Sequence, residues 1–498
     1  MRDGSIETPS AGHLRVKARK AAVWALLDKG GARVLTTVVF IVLARLLTPQ
    51  DFGLVALALV VRSFLLVFID QGFAEAIVQK ADLEPRTVDT AFWTAIATGS
   101  LLTILMFAFA PWIAGEVLGN EDVAPILQVL AFSLLLSALS STHGALLARQ
   151  LAFRELAVRR IAAQLLAGTV AVVAAYLGAG AWALVIQAIL QGAFGAVFLW
   201  HFSSWRPTFR FHVPSFRFLA PFGISMVGID ILFVVQQQAD NFLVGRSLGV
   251  AALGIYALAF RFYFVIVDVT MSSISAVALS TFARVQHDPE TAGRMYVTGS
   301  RLTALVALPF FAGMAIVAPQ LIAVLVGDRW AAAAPVLRAL CPSGLILCLG
   351  YLDRSLMVAL GRPRLALVVT GAGVGLRVVG YLIGVQFGVV GVALGLSITS
   401  ILFWPSRLLI IRALTGFSLA RYAQRLAPAM LATGVMVATL VPLRSVLGEP
   451  ALGPLLAGSI LGGAVYGISL AVIDRSSIHD LIGVVRPRTS DREGAQRT

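Results

Sequence analysis

The chain has 498 residues, of which 58% are hydrophobic and 13% charged, against roughly 25% charged in a soluble domain. With a mean hydropathy of +0.88, most of its surface must face something other than water, which excludes an ordinary soluble enzyme. The long apolar runs lack period-2 alternation, so a helical bundle fits better than an outer-membrane barrel.

A polar, basic arm at 1–20 precedes an apolar run of spanning length, and no cleavable signal is visible. A spanning helix needs about 20 mostly apolar residues. Such stretches fall at 21–47, 52–79, 88–110, 124–148, 161–177, 183–200, 218–245, 252–282, 302–326, 335–360, 365–385, 389–411, 426–443 and 455–473. The fold class expected is an all-α polytopic membrane protein of about fourteen transmembrane helices. No loop between them could house a catalytic domain.

Basic residues set the orientation. With the N-terminus inside, twenty-seven Lys and Arg fall in inner segments, and Arg246, Arg329 and Arg444 alone fall in outer loops. Both termini are therefore expected in the cytoplasm. The net charge of +14 becomes a topology signal with some attraction to anionic lipid, not a nucleic-acid footprint.

The chain also resembles itself. Residues 45–58, RLLTPQDFGLVALA, align without gaps on 246–259, RSLGVAALGIYALA, with Arg, Leu, Gly, Ala, Leu and Ala coincident. A weaker echo sets GAGAWAL at 178–184 on GVVGVAL at 388–394. These offsets put helix 1 on helix 7 and helix 6 on helix 12. An even-numbered unit keeps its orientation, so the repeats are parallel, a transporter pattern. The expected layout is an N-lobe at 21–217, a C-lobe at 218–425, two further helices at 426–473 and a cytoplasmic tail at 474–498.

Nine basic residues lie inside the apolar stretches: Lys29, Arg33, Arg45, Arg62, Arg261, Arg338, Arg354, Arg377 and Arg407. The acidic ones are Asp28, Asp70, Glu75, Asp230, Asp240, Asp268 and Asp353. Each charge costs roughly 2.5–3.5 kcal/mol to insert, so so many imply a wet cavity. Arg45, Arg338 and Arg407 lie near helix ends and are expected to snorkel. Lys29, Arg33, Arg62, Arg261 and Arg377 are the expected cationic cavity. Asp230, Gln237 and Asn241 share a face of helix 7. With Asp240 and Asp268 they form the candidate polar or ion-coupling set.

Cys341 and Cys348 share a helix face, where a disulfide cannot close. His143, inside an apolar stretch, is expected to make a satisfied polar contact. No residues have metal-ligand or catalytic spacing, and no nucleotide or cofactor motif is present. Gly371-x-x-x-Gly375 and Gly391-x-x-x-Gly395 read as close-packing sites.

Three segments carry a family resemblance: ARLLTPQDFGLVALA with the following Asp70-Gln-Gly72, QADNFLVGRSLGVAALGIYALAFR at 238–261, and GDRWAAAAPVLRAL at 327–340. Over about residues 20–425 the chain resembles the bacterial polysaccharide transporters, the O-antigen-type (Wzx-like) flippases of the multidrug/oligosaccharidyl-lipid/polysaccharide superfamily. The related peptidoglycan lipid flippases carry an arginine-rich motif on the first helix. Here that region reads DKGGARV, and its basic character at Lys29 and Arg33 is what carries over.

The resemblance implies flipping of an undecaprenyl-diphosphate-linked oligosaccharide across the cytoplasmic membrane by alternating access. The substrate and membrane lipids are the implied partners, beside glycan polymerase or assembly proteins, and the protein is expected to be a monomer. Without an ATP-binding motif, an ion gradient, the membrane potential or consumption of product outside must drive net transport. A multidrug or cation antiporter of the same superfamily would need an acidic, aromatic site, which nine basic against seven acidic intramembrane charges disfavour. A polymerase or ligase would need a large outer loop. A scaffold of glycan assembly would leave the buried charges without a purpose.

Overall fold

Hydrocarbon offers no water to a backbone amide, so a segment that crosses it alone must close its hydrogen bonds internally, as a helix does. The computed structural model describes residues 31, 33–70, 73, 77, 78, 84–283, 288–446 and 451–474, and every regular element among them is helical. The N-terminal arm at 1–20 and the tail beyond 474 lie outside these residues, as do Asp28, Lys29 and Glu75.

The helices are α1 (33–46), α2 (Pro49–Asp70), α3 (Pro85–Trp112), α4 (Ala124–Arg149), α5 (Phe153–Tyr176), α6 (Ala181–Phe202), α7 (Val213–Leu248) and α8 (Val250–Ala283). They continue as α9 (Pro289–Leu325), α10 (Ala333–Leu349), α11 (Tyr351–Ala359), α12 (Pro363–Gly384), α13 (Gly388–Thr415), α14 (Leu419–Val446) and α15 (Leu452–Ile473). Among the described residues, 11 stretches are long and apolar enough to cross a bilayer. One of them, Pro363–Thr415, holds both α12 and α13, and another, Ala333–Ala359, holds α10 and α11. The chain is thus an all-α polytopic membrane protein.

Several helices begin earlier than the apolar stretches predict. α5 starts at Phe153 instead of 161, α9 at Pro289 instead of 302, and α14 at Leu419 instead of 426. The opening turns of these helices carry charged residues, Arg154 and Glu155 in α5, Glu290 and Arg294 in α9, and Arg421 and Arg425 in α14, so an apolar window rejects them. A helix nevertheless continues at no extra cost through the headgroup region, where arginine is welcome.

The contacts divide the chain into two compact units, Met1–Gly254 and Ile255–Thr498. In the first, α3 pairs with α4 and α5 with α6, while α4 and α2 tie the two pairs together and α7 packs on α2. In the second, α12 pairs with α13, α9 with α10, and α14 with both α9 and α15. Leu101, Ile104 and Phe109 of α3 are exposed while Thr103, Met106 and Ala110 of the same helix are buried, so apolar residues cover both faces, as lipid contact requires.

The aligned segments of the repeat meet inside the first unit. α2 opens at Pro49 and α8 at Val250, which are aligned positions. A Cβ on Gly53 would strike the carbonyl of Val250, and a Cβ on the aligned Gly254 would strike the carbonyl of Pro49. The contact is reciprocal, and it needs glycine on both sides. α2 is capped by a reciprocal pair: the Thr48 amide donates to Asp51 Oδ2 (2.9 Å) and the Asp51 amide to Thr48 Oγ1 (3.2 Å).

In the second unit, prolines free backbone carbonyls and neighbouring helices take them up. Pro309 and Pro319 lie inside α9, and each removes the amide that would bond the carbonyl four residues earlier. Leu305 O accepts instead from Tyr466 Oη of α15 (2.8 Å), and Ala315 O from Arg338 Nε of α10 (3.0 Å). Arg338, expected to snorkel, is therefore turned inward by an orphaned acceptor. In α10, beside Pro342, the Ser397 hydroxyl of α13 enters the ladder: it accepts from the Ser343 amide (3.2 Å) and donates to Ala339 O (2.5 Å).

The glycine spacings divide. Gly391 and Gly395 lie against Gly384 and Gly380, where a Cβ would strike backbone. An added Cβ on Gly371 or Gly375 meets nothing within 4 Å, so that pair is not a packing site among the described residues. Gly391→Val and Gly395→Val should each separate α12 from α13 and lower the yield of folded protein at least several-fold. Gly371→Val and Gly375→Val should fold like the parent, read by size-exclusion chromatography in detergent.

Candidate functional site

Arg62 lies on α2, 13 residues past Pro49, or about 20 Å along the axis. It is half-buried, and its Nε donates to Ser133 Oγ of α4 at 2.6 Å. Ser133, buried, donates its own proton to Leu130 O at 2.6 Å. This serine fixes the guanidinium plane, and the terminal nitrogens of Arg62 have no hydrogen-bond partner among the described residues.

Beside Arg62 is an open pocket of about 260 Å³, lined by Leu136, Ser137 and Ser140 of α4, Arg159, Arg160 and Ala163 of α5, and Ala188, Gln191, Gly192 and Gly195 of α6. The lining residues lie about midway along α4 and α6, a little past the middle of α2, and in the N-terminal half of α5. Three guanidinium groups line it, and no carboxylate does among the described residues. Guanidinium forks match phosphate and carboxylate oxygens in pairs, so the pocket suits an anion.

Of the four described cations among the five expected to form one cavity, Arg62 alone lines this pocket among the described residues. Arg33, half-buried on α1, also lies in the first unit, and its carbonyl accepts from Thr37 Oγ1 (2.9 Å). Arg261 and Arg377 are half-buried in the second unit. Lys29 lies outside the described residues.

On α7, Asp230 is exposed and Gln237 half-buried, whereas Asp240 is buried and its Oδ1 accepts from the Asn241 amide (2.8 Å). Asn241 Nδ2 donates to Gln238 Oε1 (3.0 Å), and Gln238 Nε2 to Ser63 Oγ (3.4 Å), next to Arg62. The polar face of α7 thus reaches α2 through Gln238, one residue away from the Gln237 that the spacing favoured. Asp268 is half-buried in the second unit.

Arg159, Arg160, Ser137, Ser140 and Gln191 escaped the sequence reading. By hydropathy the arginines fall in a loop before a helix at 161, whereas α5 begins at Phe153 and includes them. The serines carry a usable signal: Ser133, Ser137 and Ser140 recur at i, i+4 and i+7 on α4.

A second polar cluster sits in the Ile255–Thr498 unit. Asp353 of α11, 1% exposed, meets Arg407 of α13 at 2.7 Å and accepts from Tyr296 Oη of α9 at 2.8 Å. Arg407 also donates to Gly350 O (2.6 Å), at the break between α10 and α11. Arg407 does not snorkel, because a buried carboxylate holds it. Neighbouring Arg354 is exposed, since adjacent helix residues point apart. Tyr296 packs on Phe417 and Tyr422.

His143 also departs from expectation. It is fully buried, yet both ring nitrogens lack a hydrogen-bond partner among the described residues. Trp200, Trp205 and Phe92 surround it at centroid distances of 4.6, 5.2 and 6.2 Å, and it packs as an aromatic ring. Cys341 and Cys348 are both free and buried.

A helical bundle with lipid-facing apolar surface and an arginine-lined pocket inside one unit defines a multi-pass membrane protein. The profile of the family described as "Polysaccharide biosynthesis protein" matches residues 42–335, and the chain belongs to that family. It is 30% identical over 314 residues to the succinoglycan biosynthesis transport protein ExoT of Rhizobium meliloti (strain 1021), covering 63% of each chain. The chain therefore spans less than two thirds of that relative's length. It is 25% identical over 392 residues to the lipopolysaccharide biosynthesis protein WzxC of Escherichia coli (strain K12), covering 78% of this chain and 80% of that one. Its fold is that of the lipid II flippase MurJ in an inward closed conformation, with a TM-score of 0.75 at 13% identity over 92% of this chain and 100% of that one.

The buried cluster yields a stability test. Asp353→Ala, which strands Arg407 in the interior, should cost about 3–5 kcal/mol. The double variant Asp353→Leu, Arg407→Met should recover most of that loss, read as denaturant midpoints of the purified protein. A single variant as stable as the parent rejects the pairing.

Proposed function

We propose that the protein moves a lipid-linked oligosaccharide or exopolysaccharide repeat unit from the inner to the outer leaflet of the bacterial cytoplasmic membrane by alternating access. The observation that carries this reading is the arginine pocket, lined by no carboxylate among the described residues, in a chain of the polysaccharide biosynthesis family. Its relatives support it, one of them a succinoglycan biosynthesis transport protein.

The physical requirement is a polar, anionic head group that must pass about 30 Å of hydrocarbon. Bare transfer is prohibitive. Arginine forks replace the water around a diphosphate or an acidic sugar, while an apolar polyprenyl tail stays in lipid. The Arg62 pocket lies about midway along its helices, where a head group in transit would be held. Transport makes and breaks no covalent bond in this reading. An ion gradient or the membrane potential drives it, with Asp240 or Asp268 as coupling groups. Three guanidiniums in the pocket repel the cations that an antiporter would carry.

Replacing Lys29, Arg33, Arg62, Arg261 and Arg377 singly by Ala tests the cationic reading. Arg62→Ala should reduce export of lipid-linked repeat units at least ten-fold at equal expression, with inward-facing units accumulating. Wild-type export by all five variants rejects it. Orientation is tested with single cysteines in a Cys341→Ser, Cys348→Ser background. In intact cells Arg329→Cys should react with a membrane-impermeant maleimide, and Phe209→Cys should react only after lysis. The reverse pattern inverts the topology and the direction of loading.

A further inference from the structure

The connection between α6 and α7 leaves apolar and cationic groups together on an open face. Over residues 203–212 the chain folds back along the start of α3 and is fastened there. The Thr208 amide and hydroxyl both donate to the carboxylate of Asp89, the amide at 3.1 Å. Trp93 Nε1 donates to Thr208 O (2.8 Å), and the His212 amide to Thr90 Oγ1 (3.1 Å). Trp205 packs against Phe92 and His143 at centroid distances of 5.6 and 5.2 Å. Arg206 is engaged within the segment, donating to Ser203 O and Trp205 O.

What this fastened segment turns outward is apolar. Phe209 is 92% exposed, Phe211 55% and Val213 50%. Phe209 rests one face on Trp93, with the ring centroids 4.9 Å apart. Trp93 lies eight residues past Pro85, the start of α3, or about 12 Å along the axis. Glu84 and Arg86, both exposed, keep that start at the aqueous edge, and the headgroup layer is only roughly 5–8 Å thick. The fold-back therefore carries Phe209 to the boundary between headgroups and hydrocarbon, where aromatic rings gather. Arg210, between the two phenylalanines, and Arg217, in the second turn of α7, are exposed as well. Neither side chain has a hydrogen bond or ion pair among the described residues. The carboxylate of Asp89 is buried and taken up by Thr208.

A soluble anion would meet the guanidiniums and leave the rings in water. A zwitterionic lipid would cover the rings but brings a phosphate already neutralised by its own cation. An anionic phospholipid satisfies both, with acyl chains for the rings and an uncompensated phosphate for the arginine forks. We infer that residues 205–217 form a docking site for an anionic phospholipid of the phosphatidylglycerol class. Phe209 and Phe211 lie among its acyl chains, and Arg210 and Arg217 hold its headgroup. In the orientation expected from the basic residues, the lipid belongs to the cytoplasmic leaflet. The site requires only that the chain spans a membrane, and it stands apart from the transport reading.

The first test is depth. A nitroxide on Phe209→Cys, in a Cys341→Ser, Cys348→Ser background and in bilayers containing phosphatidylglycerol, should collide more often with oxygen than with an aqueous nickel chelate. The reverse overturns the inference. The second test is native mass spectrometry of the full-length protein offered equal amounts of phosphatidylglycerol and phosphatidylcholine. The parent should retain phosphatidylglycerol at least five-fold more, and Arg210→Gln with Arg217→Gln should lower that preference at least three-fold. The pair Phe209→Ser with Phe211→Ser, which keeps the charge, should lower retention of phosphatidylglycerol about three-fold. Arg362→Gln with Arg364→Gln, at exposed arginines of the other unit, should leave the preference unchanged. An equal drop in that control means that net charge alone attracts the lipid, and overturns the site. Equal retention of the two lipids by the parent does the same. If the serine pair turns a dimer into a monomer without changing lipid retention, the face belongs to a second copy of the chain and the inference fails.

Discussion

A polar group inside hydrocarbon must find a partner within the protein, and this requirement orders much of what is seen in both units. It acts first on the backbone, making every regular described element a helix. It acts again where proline interrupts α9. The carbonyls of Leu305 and Ala315 lose their amides, and Tyr466 and Arg338 supply replacements from other helices. α15, an appendage by repeat counting, is thereby tied into its unit. Its far end is held as well, through the Asp474–Arg301 pair at 2.9 Å.

The same requirement separates the buried arginines by role. Arg407 has a carboxylate, a carbonyl and little exposure, and it is a structural cation whose removal would strand Asp353. Arg62 has one serine and a pocket. A guanidinium oriented by a neutral acceptor, with further guanidiniums nearby, keeps its charge available for something that arrives from outside. Partnership, not depth, separates these two arginines.

Much of the fold was legible because its signals are local. Apolar length gave the helices. Gly53 and Gly254, matched in a fourteen-residue comparison, occupy equivalent places at the starts of α2 and α8 and touch each other's helix. The site was legible in part. Arg62 stood out as a deep charge, but Arg159 and Arg160 were hidden among topology charges, because hydropathy cannot see a helix that starts before the hydrocarbon does. Gln238 displaced Gln237 because a helix face is about a hundred degrees wide and the spacing rule does not choose within it.

What the sequence by itself determined was the solvent of this protein, the type and approximate number of its elements, its repeat and its kinship, all properties that depend on composition and short-range spacing. What only the tertiary structure decided was which charges meet. Asp353 pairs with Arg407 across 54 positions instead of standing beside Arg354, and Ser133 reaches Arg62 from 71 residues away. Such pairings depend on how helices are stacked and rotated against one another. That rotation is set by glycine contacts, orphaned carbonyls and side-chain volumes acting together, and no linear spacing encodes it.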